Sequence, residues 1–166
     1  LRKVTETTAV TAEPKPRSGR RTIARLWHDA VAAGRPRPAY LVESEDVEGG
    51  WREISWEEAD ERVRSYANGL LARGVRKGDA FAILAQNDVD WALMDFALAH
   101  VGAVGIPIYA NNAPRDVGYL LEHSDAVGIV CEDADQLAKV EAVSDELPRL
   151  EHVLTYHDLA GLASHG

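Results

Sequence analysis

The sequence predicts an α/β fold in which a mostly parallel sheet is covered by flanking helices. Apolar runs rich in β-branched residues recur as candidate strands, at 79–85, 103–109, 126–131 and 152–156. Segments with helical spacing separate these runs, at 90–102, 114–124 and 134–143. Strands that alternate with helices form right-handed crossovers, which give a parallel sheet with both faces covered. At 166 residues and 46% hydrophobic composition, the chain is long enough for one core of ordinary size.

A helix and a hairpin are expected ahead of this alternating region. Thr22 is an N-cap residue for "IARLWHDAVAA", whose apolar residues recur on one face, and Gly34 follows as a stop signal. In 39–56, two short β-type runs flank an acidic connection that ends in glycines, which predicts a hairpin with a long loop.

The next helix has the clearest pattern in the chain. Ser55 and Glu58 form an S-x-x-E capping box, an apolar stripe follows, and Gly74 ends the helix. Gly69 lies inside this helix, where glycine is unfavourable by about 1 kcal/mol relative to alanine. It therefore predicts a close backbone contact.

Charge and cysteine content exclude some classes of protein. The net charge of -9 argues against a general nucleic-acid binder, which needs a basic face. Residues 1–21 are nevertheless basic and contain few apolar residues, which predicts a flexible leader that is either solvated or in contact with an anionic membrane surface. The single Cys131 lies in an apolar run, so we expect a buried, unreactive thiol and a cytoplasmic setting.

The stretch "HVGAVGIPIYANN", residues 100–112, poses the question of a phosphate-binding loop. Such a loop requires a strand, then glycines, then a helix N-terminus. Gly102 and Gly105 have the opposite order, because they follow a helix and precede a strand. We therefore interpret Gly102 as the helix stop, Gly105 as a close-packing position and Pro107 as a sign of a strand end or edge.

Tyr109, Asn111 and Asn112 come just after the predicted strand at 103–109. Ligands in open α/β sheets bind at the carboxyl ends of the strands. One interpretation is that these three side chains form a pocket wall. The other is an ordinary loop whose asparagines bond their own backbone.

The residue patterns predict no catalytic and no metal-binding residue. The six histidines are scattered, one cysteine offers no ligand set, and no G-x-S-x-G motif is present. Asp95, among apolar residues, is best explained as a hydrogen-bonded structural carboxylate, with a functional role as the alternative.

Taken together, the motifs resemble the amino-terminal subdomain of the adenylate-forming superfamily, with the greatest likeness to long-chain fatty acyl-CoA synthetases. The resemblance covers residues 22 to 157 and rests on Trp56, Gly69-Leu70, Gly74-Val75, Lys77-Gly78-Asp79, Asn87, Trp91, Gly102-Ala103-Val104, Pro107-Ile108-Tyr109, Tyr119, Leu121 and Ser124. Two segments depart from the family pattern: "NDVDW" lacks its usual proline, and "ANN" replaces a small polar set after the tyrosine.

The resemblance implies a two-step reaction, in which ATP with Mg²⁺ converts a fatty acid into an acyl-adenylate and CoA then displaces AMP. The family's phosphate loop and its adenosine and ribose motifs are not found in these 166 residues. The resemblance thus assigns no catalytic or cofactor-binding residue here, and the fatty acid would be held by a carboxyl-terminal portion. This segment would supply sheet, helices and one wall of the acyl tunnel.

We therefore expect a basic leader at 1–21, an α/β subdomain at 22–157 and a truncated tail at 158–166. The isolated segment is expected to be inactive and to self-associate through surface that the rest of the enzyme would cover. Two alternatives stay open: an aryl, medium-chain or amino-acid adenylating relative, and a short non-catalytic module that binds acyl ligands or a partner.

Overall fold

A computed structural model describes residues 22–160 of the chain. The predicted leader at 1–21 and residues 161–166 of the predicted tail lie outside the described residues. Six helices and six strands are described, in the order α1 (Ile23–Ala32), β1 (Tyr40–Glu43), β2 (Trp51–Ile54), α2 (Trp56–Ala72), β3 (Ala80–Ala85), α3 (Val89–Val101), β4 (Val104–Tyr109), α4 (Pro114–His123), β5 (Gly128–Cys131), α5 (Ala134–Glu141), β6 (His152–Thr155) and α6 (Tyr156–Ala160).

The main sheet is four-stranded and entirely parallel, in the order β4-β3-β5-β6. Helices lie on both of its faces, so the predicted α/β class is confirmed. The antiparallel pair β1 and β2 forms the predicted hairpin. β4 pairs only with β3 among the described strands, which agrees with the edge position expected from Pro107.

The side chains of β3 alternate between two hydrophobic clusters, as the two-residue period of a strand requires. Phe81, Ile83 and Ala85 belong to the cluster formed with α1, α2 and α3. Ala82 and Leu84 belong to the cluster formed with α4 and α5. The sheet therefore has a core on each face.

Helix caps explain where several elements begin and end. Ser55 Oγ accepts a hydrogen bond from the Glu58 backbone N–H at 3.0 Å, as the capping box predicts. The Glu58 carboxylate, however, accepts from the Arg52 guanidinium at 3.0 Å, so in the described structure this acid ties the helix to the hairpin. Gly102 ends α3 with φ of 81°, in the left-handed region that favours glycine.

Helix α6 runs across the boundary that we expected at residue 157, and the Leu159 side chain is fully buried. Thr155 and Asp158 form a second capping box, because the Asp158 carboxylate accepts the Thr155 backbone N–H at 2.7 Å. Tyr156, which the sequence pattern placed at the end of a strand, begins this helix.

Candidate functional site

The strand register brings three strand ends together at one edge of the sheet. Ala85 pairs with Tyr109, and Leu84 pairs with Cys131. The loops after β3, β4 and β5 therefore start side by side. A cleft of ≈ 500 Å³ opens here, lined by Ala85, Gln86, Asn87, Tyr109, Ala110, Asn111 and Gln136.

Two of the three predicted pocket residues line this cleft, and the third does not. Tyr109 is 72% exposed and is part of the cleft lining. Asn111 is also part of the lining, whereas Asn112 is absent from it. The Asn112 backbone N–H donates to the Tyr109 carbonyl at 3.0 Å and closes the turn that leads into α4.

Helix α5 forms a wall that the sequence interpretation missed. Asp133, two residues after the end of β5, caps this helix by accepting the Gln136 backbone N–H at 2.8 Å. The cap starts the helix close to the sheet edge, and Gln136 in its first turn lines the cleft. One turn later, the Lys139 ammonium donates to the Ala110 carbonyl at 2.5 Å. The N-cap aspartate two residues after the predicted strand was a sequence signal for the start of α5, although not for its contact with the turn after β4.

Two carboxylates, those of Glu132 and Asp88, lie at the same edge of the sheet without lining the cleft. Glu132 accepts the Gln86 backbone N–H at 2.6 Å. Asp88 caps α3 by accepting the Trp91 backbone N–H at 2.7 Å. Burial raises the pKa of Asp88, a shift that the negative charges of Asp90 and Glu132 reinforce and the Trp91 N–H opposes. Each of these two carboxylates is thus bound to a backbone N–H at this edge.

A second polar cluster joins α2 to the start of α3. Asp90 accepts hydrogen bonds from the Arg62 guanidinium and from the Tyr66 hydroxyl, the latter at 2.6 Å. Burial, followed by the bond to Asp90, raises the pKa of Tyr66 to about 12. The Tyr156 ring stacks on Tyr66 at 6.2 Å between centroids, and its buried hydroxyl has no hydrogen-bond partner in the described structure.

Asp95 and Cys131, the other two residues considered from the sequence, do not line the cleft. A Cβ built on Gly105 would lie 3.1 Å from Asp95 Oδ1, so Gly105 admits this half-buried carboxylate against β4, as its close-packing role predicts. Burial raises the pKa of Asp95. Cys131 is fully buried, and burial raises its pKa to about 12, which leaves an unreactive thiol. Among residues 22–160, no cluster of His, Cys, Asp and Glu could hold a metal ion.

A larger cleft of ≈ 820 Å³ lies between the loop after α1 and the start of α2. It shares no lining residue with the cleft at the sheet edge. Trp56 and Arg35 lie in its wall, with the guanidinium 5.2 Å from the indole centroid.

No helix in the described part of the chain is long and apolar enough to cross a membrane.

Comparison with known proteins shows a consistent set of relatives. A family model described as "AMP-binding enzyme" matches residues 26–164. Long-chain-fatty-acid–CoA ligase FadD15 of Mycobacterium bovis is 34% identical over 132 residues, which cover 76% of this chain and 22% of that protein. Long-chain-fatty-acid–CoA ligase heimdall of Drosophila melanogaster is 34% identical over 108 residues, 65% of this chain and 16% of the relative.

Solved structures agree on the fold. The crystal structure of the N-terminal domain of FACL13 from Mycobacterium tuberculosis matches with a TM-score of 0.73 and 21% identity, over 89% of this chain and 37% of that one. The chain spans about a fifth of the length of the two curated ligases named above.

Proposed function

The chain belongs to the AMP-binding enzyme family, and we propose that it forms the amino-terminal part of a long-chain fatty acid–CoA ligase. The observation that carries this proposal is the 34% identity over 132 residues to a protein named as such a ligase. The fold likeness to a FACL13 N-terminal domain supports the placement within the enzyme.

The proposed reaction has two steps. The fatty acid carboxylate attacks the α-phosphorus of ATP, which forms the acyl-adenylate and releases pyrophosphate. The CoA thiol then attacks the acyl carbon, which forms the thioester and releases AMP. ATP, Mg²⁺ and CoA are thus the cofactors and co-substrates of the whole enzyme, and Mg²⁺ neutralises phosphate charge.

The present chain contributes scaffold and a cleft wall to this reaction. Neither G-x-x-x-x-G-K-[ST] nor G-x-G-x-x-G occurs in the 166 residues, and the described residues offer no metal cluster. We therefore assign no catalytic, cofactor-binding or metal-binding residue to this chain. Tyr109 and Asn111, in the cleft at the carboxyl edge, are its proposed contribution to a ligand pocket.

An ATP–pyrophosphate exchange assay tests the proposal. The open reading frame that encodes this chain, expressed in full, is expected to catalyse exchange with palmitate. Octanoate, benzoate and a set of amino acids serve as competing substrates, since they separate the long-chain ligase from its adenylating relatives. Exchange that depends on benzoate or on an amino acid, and not on palmitate, would overturn the substrate assignment.

The same assay on the 166-residue chain alone tests whether this chain can catalyse adenylation by itself. We expect no exchange above background, because the elements that bind phosphates in the family are not found in this sequence. Robust exchange by this chain would contradict the proposal that it is inactive without the rest of the enzyme.

A further inference from the structure

The hairpin of β1 and β2 exposes two large apolar side chains on the face that points away from the core. Leu41 lies opposite Glu53 in the strand register, and Trp51 lies two residues before Glu53 on the same strand, so the three side chains share one face. Glu43, opposite Trp51, completes this face, which we call the outer hairpin face. Leu41 is 55% exposed and Trp51 is 52% exposed, whereas Ile54 lies on the other face and is fully buried.

This face has the composition of a contact surface. Leu41 and Trp51 are diagonal neighbours across the two strands, a spacing that an aromatic ring can bridge. The carboxylates of Glu43 and Glu53 flank them on the same face. An exposed apolar patch with a polar rim is typical of a surface that another segment covers.

The charge of the hairpin selects a basic partner. Five carboxylates lie between the start of β1 and the end of β2, those of Glu43, Glu45, Asp46, Glu48 and Glu53. None of the five forms an ion pair within residues 22–160. The hairpin's own Arg52 donates instead to the Glu58 carboxylate on α2 at 3.0 Å. A segment that carries Lys and Arg next to apolar residues is therefore complementary to this face.

The same charges disfavour two other partners. The outer hairpin face of a second copy would bring the Glu43 and Glu53 carboxylates of both copies together, which is repulsive. A membrane that contains anionic lipids would repel these carboxylates as well.

Residues 1–21 of this chain have the required composition and length. They contain six basic and two acidic residues, with Val4 and Val10 among the apolar ones. Thr22 and Tyr40 are at most about 45 Å apart, because α1 is about 15 Å long and the next eight residues span up to about 30 Å. Extended, a segment of this length spans about 70 Å and thus reaches the hairpin. The covalent link also gives it a high effective concentration there.

We propose that residues 1–21 dock on the outer hairpin face of the same chain. Their Lys and Arg side chains pair with the hairpin carboxylates, and their apolar residues cover Leu41 and Trp51. This position differs from both sequence-based expectations for the leader, which were a solvated segment and a segment on an anionic membrane. The proposal does not depend on the ligase activity.

Paramagnetic broadening in nuclear magnetic resonance spectra of the 166-residue chain tests the docking. Thr8→Cys accepts a nitroxide label in the leader without changing its charge, and the native Cys131 is buried and stays unlabelled. We expect the label to broaden the Trp51 indole N–H and the amides of 41–53 selectively. Raising the salt from about 0.05 M to about 0.5 M should remove this broadening, since it screens exposed ion pairs. Broadening that is absent, or spread evenly over the surface, would overturn the proposal.

A mixture of two chains separates docking within one chain from docking between copies. Spin-labelled chain without ¹⁵N is mixed with ¹⁵N-labelled chain that carries no nitroxide, at a concentration where sedimentation shows monomers. We expect no broadening in this mixture. Broadening at 41–53 would show that the leader reaches a second copy, and it would overturn the assignment to the same chain.

Paired variants test the charge complementarity. Glu43→Gln with Glu53→Gln should weaken the docking equilibrium about tenfold, as the loss of two exposed ion pairs does. Glu141→Gln with Glu151→Gln is the matched control, because it changes the net charge equally at exposed positions outside the hairpin. Equal broadening in the two double variants would contradict the pairing with the hairpin.

Vesicles of phosphatidylserine and phosphatidylcholine test the competing position of the leader. A leader held on the hairpin is withheld from anionic lipid, so Glu43→Gln with Glu53→Gln should increase cosedimentation with these vesicles above that of the control double variant. Strong binding that is the same for the original chain and both double variants would assign the leader to the membrane surface and overturn the proposal.

Discussion

Gly128 of β5 lies beneath the ring of Phe81, its register partner on β3. A Cβ built on this glycine would lie 2.8 Å from Phe81 Cδ2 and 2.9 Å from Cζ. Phe81 is fully buried, so its ring has no free space to enter. The absence of a side chain at residue 128 is what lets a large aromatic ring pack at the centre of the sheet.

Gly128→Ala is therefore expected to destabilise the chain by about 2 kcal/mol, as overpacking of a core does. The midpoint of urea unfolding measures this change. Gly118→Ala is the matched control, because a Cβ there would lie 3.3 Å from Val143 Cγ2, a contact that a shift of a few tenths of an ångström in this half-buried side chain relieves. Alanine is favoured over glycine in a helix by about 0.5–1 kcal/mol, so the control should be neutral or stabilising. Equal effects of the two substitutions would contradict the steric explanation.

Tyr66 makes the stability of the chain depend on pH in the alkaline range. Its pKa is raised from 10.0 to about 12, mainly by burial. The unfolded chain therefore loses this proton before the folded chain does, and stability should fall as the pH rises from 10 to 12. Below pH 10 the hydroxyl is protonated in both states, and its contribution is constant.

Tyr66→Phe should reduce the alkaline loss of stability by up to about 1.4 kcal/mol per pH unit. Urea unfolding of both proteins between about pH 8 and about pH 11 measures the difference in slope. Cys131 is present in both proteins, so its own titration cancels in the comparison. Parallel pH profiles would show that Tyr66 does not titrate as its surroundings indicate.

Residues whose role is set by the backbone could be predicted from the sequence, and residues whose role is set by distant neighbours could not. Gly102 as a helix stop and Gly105 as a close-packing position are confirmed, because each role follows from local order along the chain. Gln136 and Lys139 were missed. Their part in the cleft depends on how α5 sits against the turn after β4, a tertiary contact with no local signature.

At the scale of elements, α6 shows the same distinction. Its T-x-x-D capping box is a local signal that was available in the sequence. The helix has only five residues, too few to show a hydrophobic period. It is held instead by tertiary packing against α2, where a Cβ built on Gly69 would lie 3.1 Å from Leu159 Cδ2. The close contact predicted at Gly69 is thus confirmed, although its partner could not be foreseen.

Leu159→Ala should destabilise the chain by about 3 kcal/mol, since the side chain is fully buried between α6 and α2. Chemical denaturation measures the loss. His157→Ala, on the exposed side of the same helix, should change stability by less than about 0.5 kcal/mol. If Leu159→Ala were as mild as its control, α6 would not belong to the folded core.

At the scale of the whole molecule, the sheet has two edges that differ in their protection. β4 and β6 each pair on one side only among the described strands. On β4, Pro107 lacks the N–H that a further strand would need. β6, with the sequence "HVLT", has no such block, and Val153 is 37% exposed. An unprotected strand edge is a template for pairing with another chain.

The 166-residue chain is therefore expected to self-associate through β6. Sedimentation velocity should show a weight-average mass that rises above 18.1 kDa with concentration. Val153→Lys places a charge on this edge and should lower the association, as edge lysines do in natural sheets. Val104→Lys, on the edge that Pro107 already protects, is the control and should have little effect. A chain that stays monomeric at every concentration would contradict the assignment, and it would favour a self-sufficient binding module over a subdomain that packs against the rest of a ligase.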